Sequence, residues 1–592
     1  MRKRDITICL IAVAIGITLL VTAGNQLDYI NSQRKGMNLV RNEPLENAPP
    51  SLAFATVAMG AFRGLIVDAL WIRADRLKQE GQFFDARQLA DWIVALQPRF
   101  PQVWAFNAWN MAYNISAAIP ASQSEQRWHW VKNGYELLRD KGIPLNPTDI
   151  SLYTELALIF QHKMGGITDD AHKYYKLQLA EAMAPLLGTA DEQYFGKLVD
   201  APRRLGEILA DANVAQFVAD LRGADAAFAD EKILVANYLA LRQEPKRYKP
   251  QALSVIDNYR RTETLEKFDV FARAWQLRNE WKLEPQLMQQ INRTYGPVDF
   301  ADPNHHLPLD WRNPDAHAIY WAVEGLKHAS KNDLSASEAN TDRIVTHSLQ
   351  NLYRHGKLFV YKLSPQEQVD DSRPDNQPQM TETVYLRPDL RMFESVDKTW
   401  RDIIEKYEPK DSETQQTGHR NFLKNAVLNF YLAGHEQYGR RIYRELQQLY
   451  PREEFSVEYT VYLRNRLREE LSDLDVTNAT ETVQLMLRDA YFYYAMREDD
   501  EAYGREKMAA EVHDRCNAIY KGEEHRVSLP PINRLKYLAL WDFLNDPLYP
   551  VSLRMSLRAR IQLERPELSA TLENEEKQVI QENQSQGQTG QP

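Results

Sequence analysis

The sequence predicts a mainly α-helical chain. An N-terminal transmembrane helix precedes an α-solenoid of stacked helix hairpins, with one small β-hairpin inserted and a disordered C-terminal tail. Three observations carry this reading. Apolar residues recur at i, i+3, i+4 and i+7 through most of the body, while strand-like alternation is confined to two short runs. A 17-residue interval from Gly to Pro occurs twice, from Gly81 to Pro98 and from Gly434 to Pro451. An uncharged run, Ile6 to Ala23, follows Arg2, Lys3 and Arg4.

The uncharged run comes first in the chain. Its 18 residues make a helix about 27 Å long, close to a bilayer core of about 30 Å. The next basic residues are Arg34 and Lys35, so the positive-inside rule keeps the N-terminus in the cytoplasm and sends the body across. The expectation is a single-pass protein of a bacterial inner membrane with a periplasmic body. Val21-Thr22-Ala23 before Gly24 also fits a signal-peptide cleavage site, but the run is long for one, which favours a retained anchor over residues 1–24. Residues 25–60, with Pro44, Pro49 and Pro50, read as a linker.

Composition narrows the function. The chain of 592 residues carries 72 Lys and Arg against 82 Asp and Glu, a net charge of -10, which argues against a nucleic-acid partner. Cys9 and Cys516 cannot build a disulfide framework or a Cys-rich metal site, and Cys516 reads as a buried structural thiol.

Residues 61–190 hold the clearest internal register. Between Gly81 and Pro98 lie Phe83, Phe84, Ala86, Leu89, Ala90, Ile93 and Leu96, with Ala74 and Leu77 on the helix before and Trp104 and Ala108 on the helix after. Tyr153 and Ala157 repeat the aromatic–small pair. Gly434 and Pro451 repeat the interval, and Ala490, Ala502 and Ala509 fall at the small-residue positions of one more unit. Small residues at fixed spacing let two helices approach closely, and a lone hairpin cannot bury its apolar face, so such units stack. This pattern resembles the tetratricopeptide family, in degenerate form and over about 40% of the chain. Pro120 stands where a small residue is expected, which predicts an insertion over 114–125 before a helix from Trp128 to Asp140.

The resemblance implies a binding face. In that family the first helix of each unit lines a groove for extended peptides or partner helices. Carried over position by position, the lining is Asp68, Trp71, Asp75 and Lys78 in the first unit. It is Gln102, Trp109 and Tyr113 in the second, and Gln161 and His162 in the third. The set mixes aromatic and polar groups and lacks the basic cluster of a carboxylate clamp.

The remainder follows in order. Residues 191–355 read as helical without a clear repeat; Ser335-Ala336-Ser337-Glu338 reads as a capping box there. Lys357–Lys362 and Glu382–Leu386 alternate and predict a β-hairpin within 356–395, around a polar loop. Residues 396–563 return to repeat-like helices, one opened by a second capping box at Asn478-Ala479-Thr480-Glu481. Residues 564–592, rich in Glu, Gln, Asn, Ser and Gly, read as a disordered tail.

No nucleophile elbow, HExxH, P-loop or GxGxxG occurs, so no catalytic residue and no cofactor is expected. The expected function is a membrane-anchored, non-catalytic adaptor with a protein or peptide partner. The alternative is an envelope enzyme or metal-binding protein with His305, His306, Asp310 and His317 as ligands, competing with a loop that merely caps the helix after Pro314. Glu511, His513, Asp514 and Cys516 form a second, poorer cluster, because they do not share one helix face.

Overall fold

The computed structural model describes residues 63–588 apart from 301, 303–304, 330–335, 363–381, 408–411, 473–475 and 520–528. The expected membrane helix and linker lie outside the described residues, as does Ser335 of the first capping box. Among the described residues, no helix is long and apolar enough to cross a membrane. The described chain is helical almost throughout, with helix packed on helix. Helices longer than four residues are numbered here.

The repeat register is realised as hairpins. Helices α1 (Arg63–Gln79) and α2 (Phe83–Leu96) pair, and α3 (Pro101–Trp109) packs on α2. Ala74, Ala86, Ala108 and Ala157 are buried at the crossings, with Trp104 and Tyr153 between layers. Trp104 donates its indole N–H to the Pro98 carbonyl at 2.8 Å, so the aromatic of one unit closes the end of the unit before.

Three hairpin turns share one geometry. The Gly81, Gly434 and Arg497 backbones have φ of 77°, 85° and 63°, the left-handed conformation that ends a helix most easily at Gly. Gln82, His435 and Glu498 then donate backward to the carbonyls of Leu77, Phe430 and Tyr493 at 2.8, 2.9 and 2.9 Å. Recurrence of this turn between α1 and α2, between α16 (Ser412–Leu432) and α17 (Glu436–Leu449), and between α19 (Val476–Ala495) and α20 (Asp499–Ile519) is the strongest structural sign of repetition. Ala490, Ala502 and Ala509 are buried in the last of these pairs.

The insertion expected over 114–125 is shorter: residues 114–118 are still helical, the α-helix breaks over 119–123, and the helix expected from Trp128 begins at Ser124. The helix continues through a π turn, Asn110–Ile115, breaks before Pro120, and restarts as α4 (Ser124–Leu137). Gly134 of α4 supplies the small residue that Pro120 cannot: a Cβ there would stand 2.8 Å from the Ala108 carbonyl oxygen and 3.0 Å from the Ala112 Cβ. Helix α5 (Ile150–Leu158) likewise runs into a π turn, Ile159–Met164, before α6 (His172–Leu187).

The middle departs from the expectation in one respect. Helices α7 (Glu192–Asp200), α8 (Ala212–Ala224), α9 (Glu231–Gln243), α10 (Pro250–Asn258), α11 (Glu263–Asn279) and α12 (Pro285–Tyr295) form an irregular packet in which α11 touches α6 through α9. The packet ends before residue 314. Helices α13 (Pro314–Leu326) and α14 (Ala336–His355) pair with each other and both pack on α5, so the stack resumes with a unit distant in sequence.

The β-hairpin forms from the two alternating runs, β1 (Lys357–Lys362) paired antiparallel with β2 (Glu382–Arg387). Its two faces serve two partners. Leu358, Val360, Val384 and Leu386 pack on Leu177 and Ala180 of α6. Phe359 and Tyr385 meet Phe492 of α19 at ring distances of 5.8 and 5.4 Å.

Beyond it lie α15 (Phe393–Tyr407), α18 (Tyr459–Ser472), α21 (Ile532–Asn545), α22 (Val551–Glu564) and α23 (Pro566–Gln588). Two expectations are corrected here. Asn478 lies inside α19, which begins at Val476, so the second capping box does not start a helix. The tail expected to be disordered is α23: Leu572 is buried and Leu568 packs beside it against the C-terminal core, and Glu575 pairs with Arg534 at 3.0 Å. Two leucines four residues apart form a stripe one side chain wide, which an average over polar composition hides.

The Gly134 crossing is testable. Gly134→Ala is expected to destabilise the chain by about 1–3 kcal/mol in urea unfolding, because its Cβ meets backbone. Gly223→Ala, at an exposed position of α8 with open space around it, should be neutral or stabilising by up to about 1 kcal/mol.

Candidate functional site

Several of the residues expected to line a groove form a connected aromatic stripe on α1, α3 and the end of α5. Trp71 of α1 packs on Phe106 of α3 at 5.1 Å between ring centres. The Lys78 ammonium lies 4.7 Å from the Trp109 ring and 5.4 Å from the Phe106 ring. Trp109 stacks on Tyr113 at 5.3 Å, and Tyr113 meets His162 at 5.8 Å. The last two rings lie in π turns, Tyr113 in Asn110–Ile115 and His162 in Ile159–Met164.

Access differs along the stripe. Asp68, Gln102, Trp109 and His162 are exposed, and Trp71, Asp75, Lys78 and Tyr113 are half-buried. Asp75 accepts a hydrogen bond from Gln79 at 2.8 Å. Gln161 departs from the expectation. It is buried and donates to the Ile344 carbonyl and the Ser348 hydroxyl of α14, both at 2.8 Å. Helix α14 thus closes the third unit, and the open face ends at His162. Phe106 was missed by carrying over family positions, yet it sits four residues after Gln102 and three before Trp109, so a helical-face count finds it.

Beneath the stripe lies a cluster of buried charge. Asp169 takes hydrogen bonds from Lys163 at 2.5 Å, Arg127 at 3.2 Å and the Ala171 amide at 2.8 Å. Burial disfavours its charged form, but these donors and the two cations outweigh burial and hold the carboxyl below the ordinary range. The Lys163 ammonium lies 5.5 Å from the Tyr113 ring, which ties the cluster to the stripe. Lys176 spans the end of the π turn, donating to the Met164 and Gly166 carbonyls at 2.9 Å each and facing His172 Nδ1 at 3.1 Å. It satisfies carbonyls that a helix end leaves without partners. Burial lowers the Lys176 ammonium to about 8.

Asp315 of α13 completes the cluster. Its carboxylate accepts from Asn351 at 3.0 Å, and burial raises it to about 7 despite that bond and the charge of Lys176. The cluster holds donors and acceptors in pairs and fixes the shape of the π turn under His162. It offers no arrangement of nucleophile, base and orienting group.

The alternative ligand set is not brought together. His305 is exposed, and His306 faces the Gly296 carbonyl through Nδ1 at 3.0 Å. Asp310 is engaged by Arg312. His317 is fully buried, bonds the Trp311 carbonyl through Nε2 at 2.9 Å, stacks on Phe160 at 5.0 Å, and is held by burial near 4. In the second cluster Cys516 is buried, His513 faces the Pro530 carbonyl at 2.8 Å, and Asp514 points to solvent. Among the described residues, no group of three His, Cys, Asp or Glu side chains is placed to hold a metal ion.

Comparison with family models finds no match to this chain, and comparison with curated proteins finds none either.

The buried carboxyl gives a pH prediction. Asp315 titrates near 7 when folded and near 4 in an unfolded chain. Between those values the folded state holds a proton that the unfolded state has released. Wild-type stability therefore falls relative to Asp315→Asn as pH rises from about 4 to about 7, and the gap is constant above. Thermal melts of both proteins across that range check this; a gap independent of pH contradicts it.

Proposed function

We propose that this chain is a membrane-anchored, non-catalytic adaptor of the bacterial envelope. It holds an extended peptide segment or partner helix on the stripe from Trp71 to His162. The observation that carries the reading is that large rings line up on an accessible face although the core beneath is already closed. Trp109 keeps 37% of its surface exposed while Ala108 and Met111 beside it are buried. Rings of this kind supply contact area at a low entropic cost, and Trp and Tyr are the residues that most often dominate binding energy. Lys78 over Trp109 adds a cation that can meet an acidic or carbonyl group of the partner, and Asp68 and Asp75 offer acceptors on the same helix.

The anchor belongs to the same reading. Residues 6–23 would fix the chain to the membrane and leave the stripe to collect a partner there, with no nucleic acid and no cofactor involved. The repeat-like turns support this use, because stacked hairpins present a rigid surface whose side chains are ordered before a partner arrives.

Capture of a partner from mildly solubilised envelope membranes tests the reading. Replacing Trp109 and Tyr113 together by Ala is expected to weaken specific capture by tenfold or more, as for loss of a binding hot spot. Trp92→Ala, at an exposed position of α2 outside the stripe, should leave it unchanged. Equal capture by all three proteins sinks the proposal.

A further inference from the structure

A second site lies where the β-hairpin meets the segments on either side of it. A cleft of about 540 Å³ opens between the end of α6, residues 308–312, the start of β1 and residues 389–392. Two Asp-x-Arg pairs line it in the same geometry. Asp310 accepts the Arg312 amide and Nε through Oδ1, at 3.0 and 2.9 Å, and Nη2 through Oδ2 at 2.8 Å. Asp389 accepts the same three groups of Arg391 at 3.2, 2.8 and 2.8 Å.

We propose that this cleft binds a small ligand carrying two oxyanion groups, carboxylate or phosphate, one on each guanidinium. Both carboxylates are spent on their own arginines, and Glu498, the third acid in the lining, faces Lys357 at 3.4 Å. Nη1 of Arg312 and Nη1 of Arg391 make no hydrogen bond to a described residue, although about a third of each side chain is exposed. The two Nη1 groups are thus the free donors of the cleft, with Glu498 as the lining acid nearest Arg391 after Asp389. Each guanidinium plane is held by an Asp, and that of Arg312 also by the Leu358 carbonyl, which accepts from Nη2 at 3.3 Å, so binding costs little side-chain entropy; the free Nη1 of each can donate to one carboxylate or phosphate oxygen. The volume suits a ligand of small-molecule size. Arg312 and Arg391 come from separate segments, so a ligand that spans both would tie residues 308–312 to residues 389–392.

Citrate and pyrophosphate, titrated separately into the full chain in detergent, distinguish the two chemistries; chloride at equal ionic strength is the reference. The expected result is saturable binding of at least one probe in calorimetry, with a higher Tm than chloride gives. Arg312→Gln and Arg391→Gln should each weaken it by at least tenfold, the loss of a charge-assisted hydrogen bond. Arg558→Gln, on the exposed side of α22, should not. Should Arg312→Gln unfold the chain by stranding Asp310, the paired change Asp310→Asn with Arg312→Gln removes the fork without leaving a lone charge. The proposal is overturned if neither probe binds saturably to the wild type, or if the folded variants bind as well as the wild type does.

Discussion

Each helix hairpin in this chain buries one apolar face internally and leaves another that only a neighbour can cover, and the rest of the structure follows from that constraint. It sets the small residues at the crossings, since Ala74, Ala86, Ala108, Gly134 and Ala157 allow the approach that shields the larger side chains. It sets the aromatic content, since Trp104 and Tyr153 fill the space between successive layers. It also explains the two ends of the described chain. Helix α23 closes the C-terminal end with a narrow leucine stripe and a charged outer face. Helices α1 and α2 leave Leu65, Ile72 and Trp92 exposed at the other.

Besides the irregular packet of α7–α12, the β-hairpin interrupts the stack, and it does structural work. The β-hairpin is too small to stand alone and gains its stability by packing one face on α6 and the other on α19. The contact with α19 is reinforced by stacked cations. Phe492, Tyr493 and Tyr494 are consecutive, and Arg387 of β2, Arg505 of α20 and Arg560 of α22 lie 3.7, 4.2 and 4.1 Å from their rings. Three elements thus converge on one turn of α19 by the same cation–π interaction. The cleft with its two guanidinium forks sits beside this junction, where chain segments of different origin must meet without a shared repeat pattern.

Much of the fold was legible because its signals are local. The hairpin turns at Gly81 and Gly434, the strands on either side of the polar loop and the helix after Pro120 all depend on residues close in sequence. What stayed hidden depends on distant partners. Nothing near Gln161 announces that α14 will cover it, and nothing near Pro314 announces that α13 will dock on α5. The twin Asp-x-Arg pairs escaped because Asp310 reads more readily as a ligand beside two histidines than as the holder of Arg312. The buried charges escaped for a related reason: Lys163 and Lys176 look solvent-facing until Asp169 and the π turn are in place. Polar composition likewise concealed α23, whose docking needs only two leucines and one ion pair.

The proposed binding surface is the stripe from Trp71 to His162. The most direct measurement is in-cell photocrosslinking with a reactive amino acid placed at residue 109, and separately at residue 92 on α2. The expected result is one dominant crosslinked partner from residue 109 and no such product from residue 92. Indistinguishable products from the two positions, or none from residue 109, would contradict it.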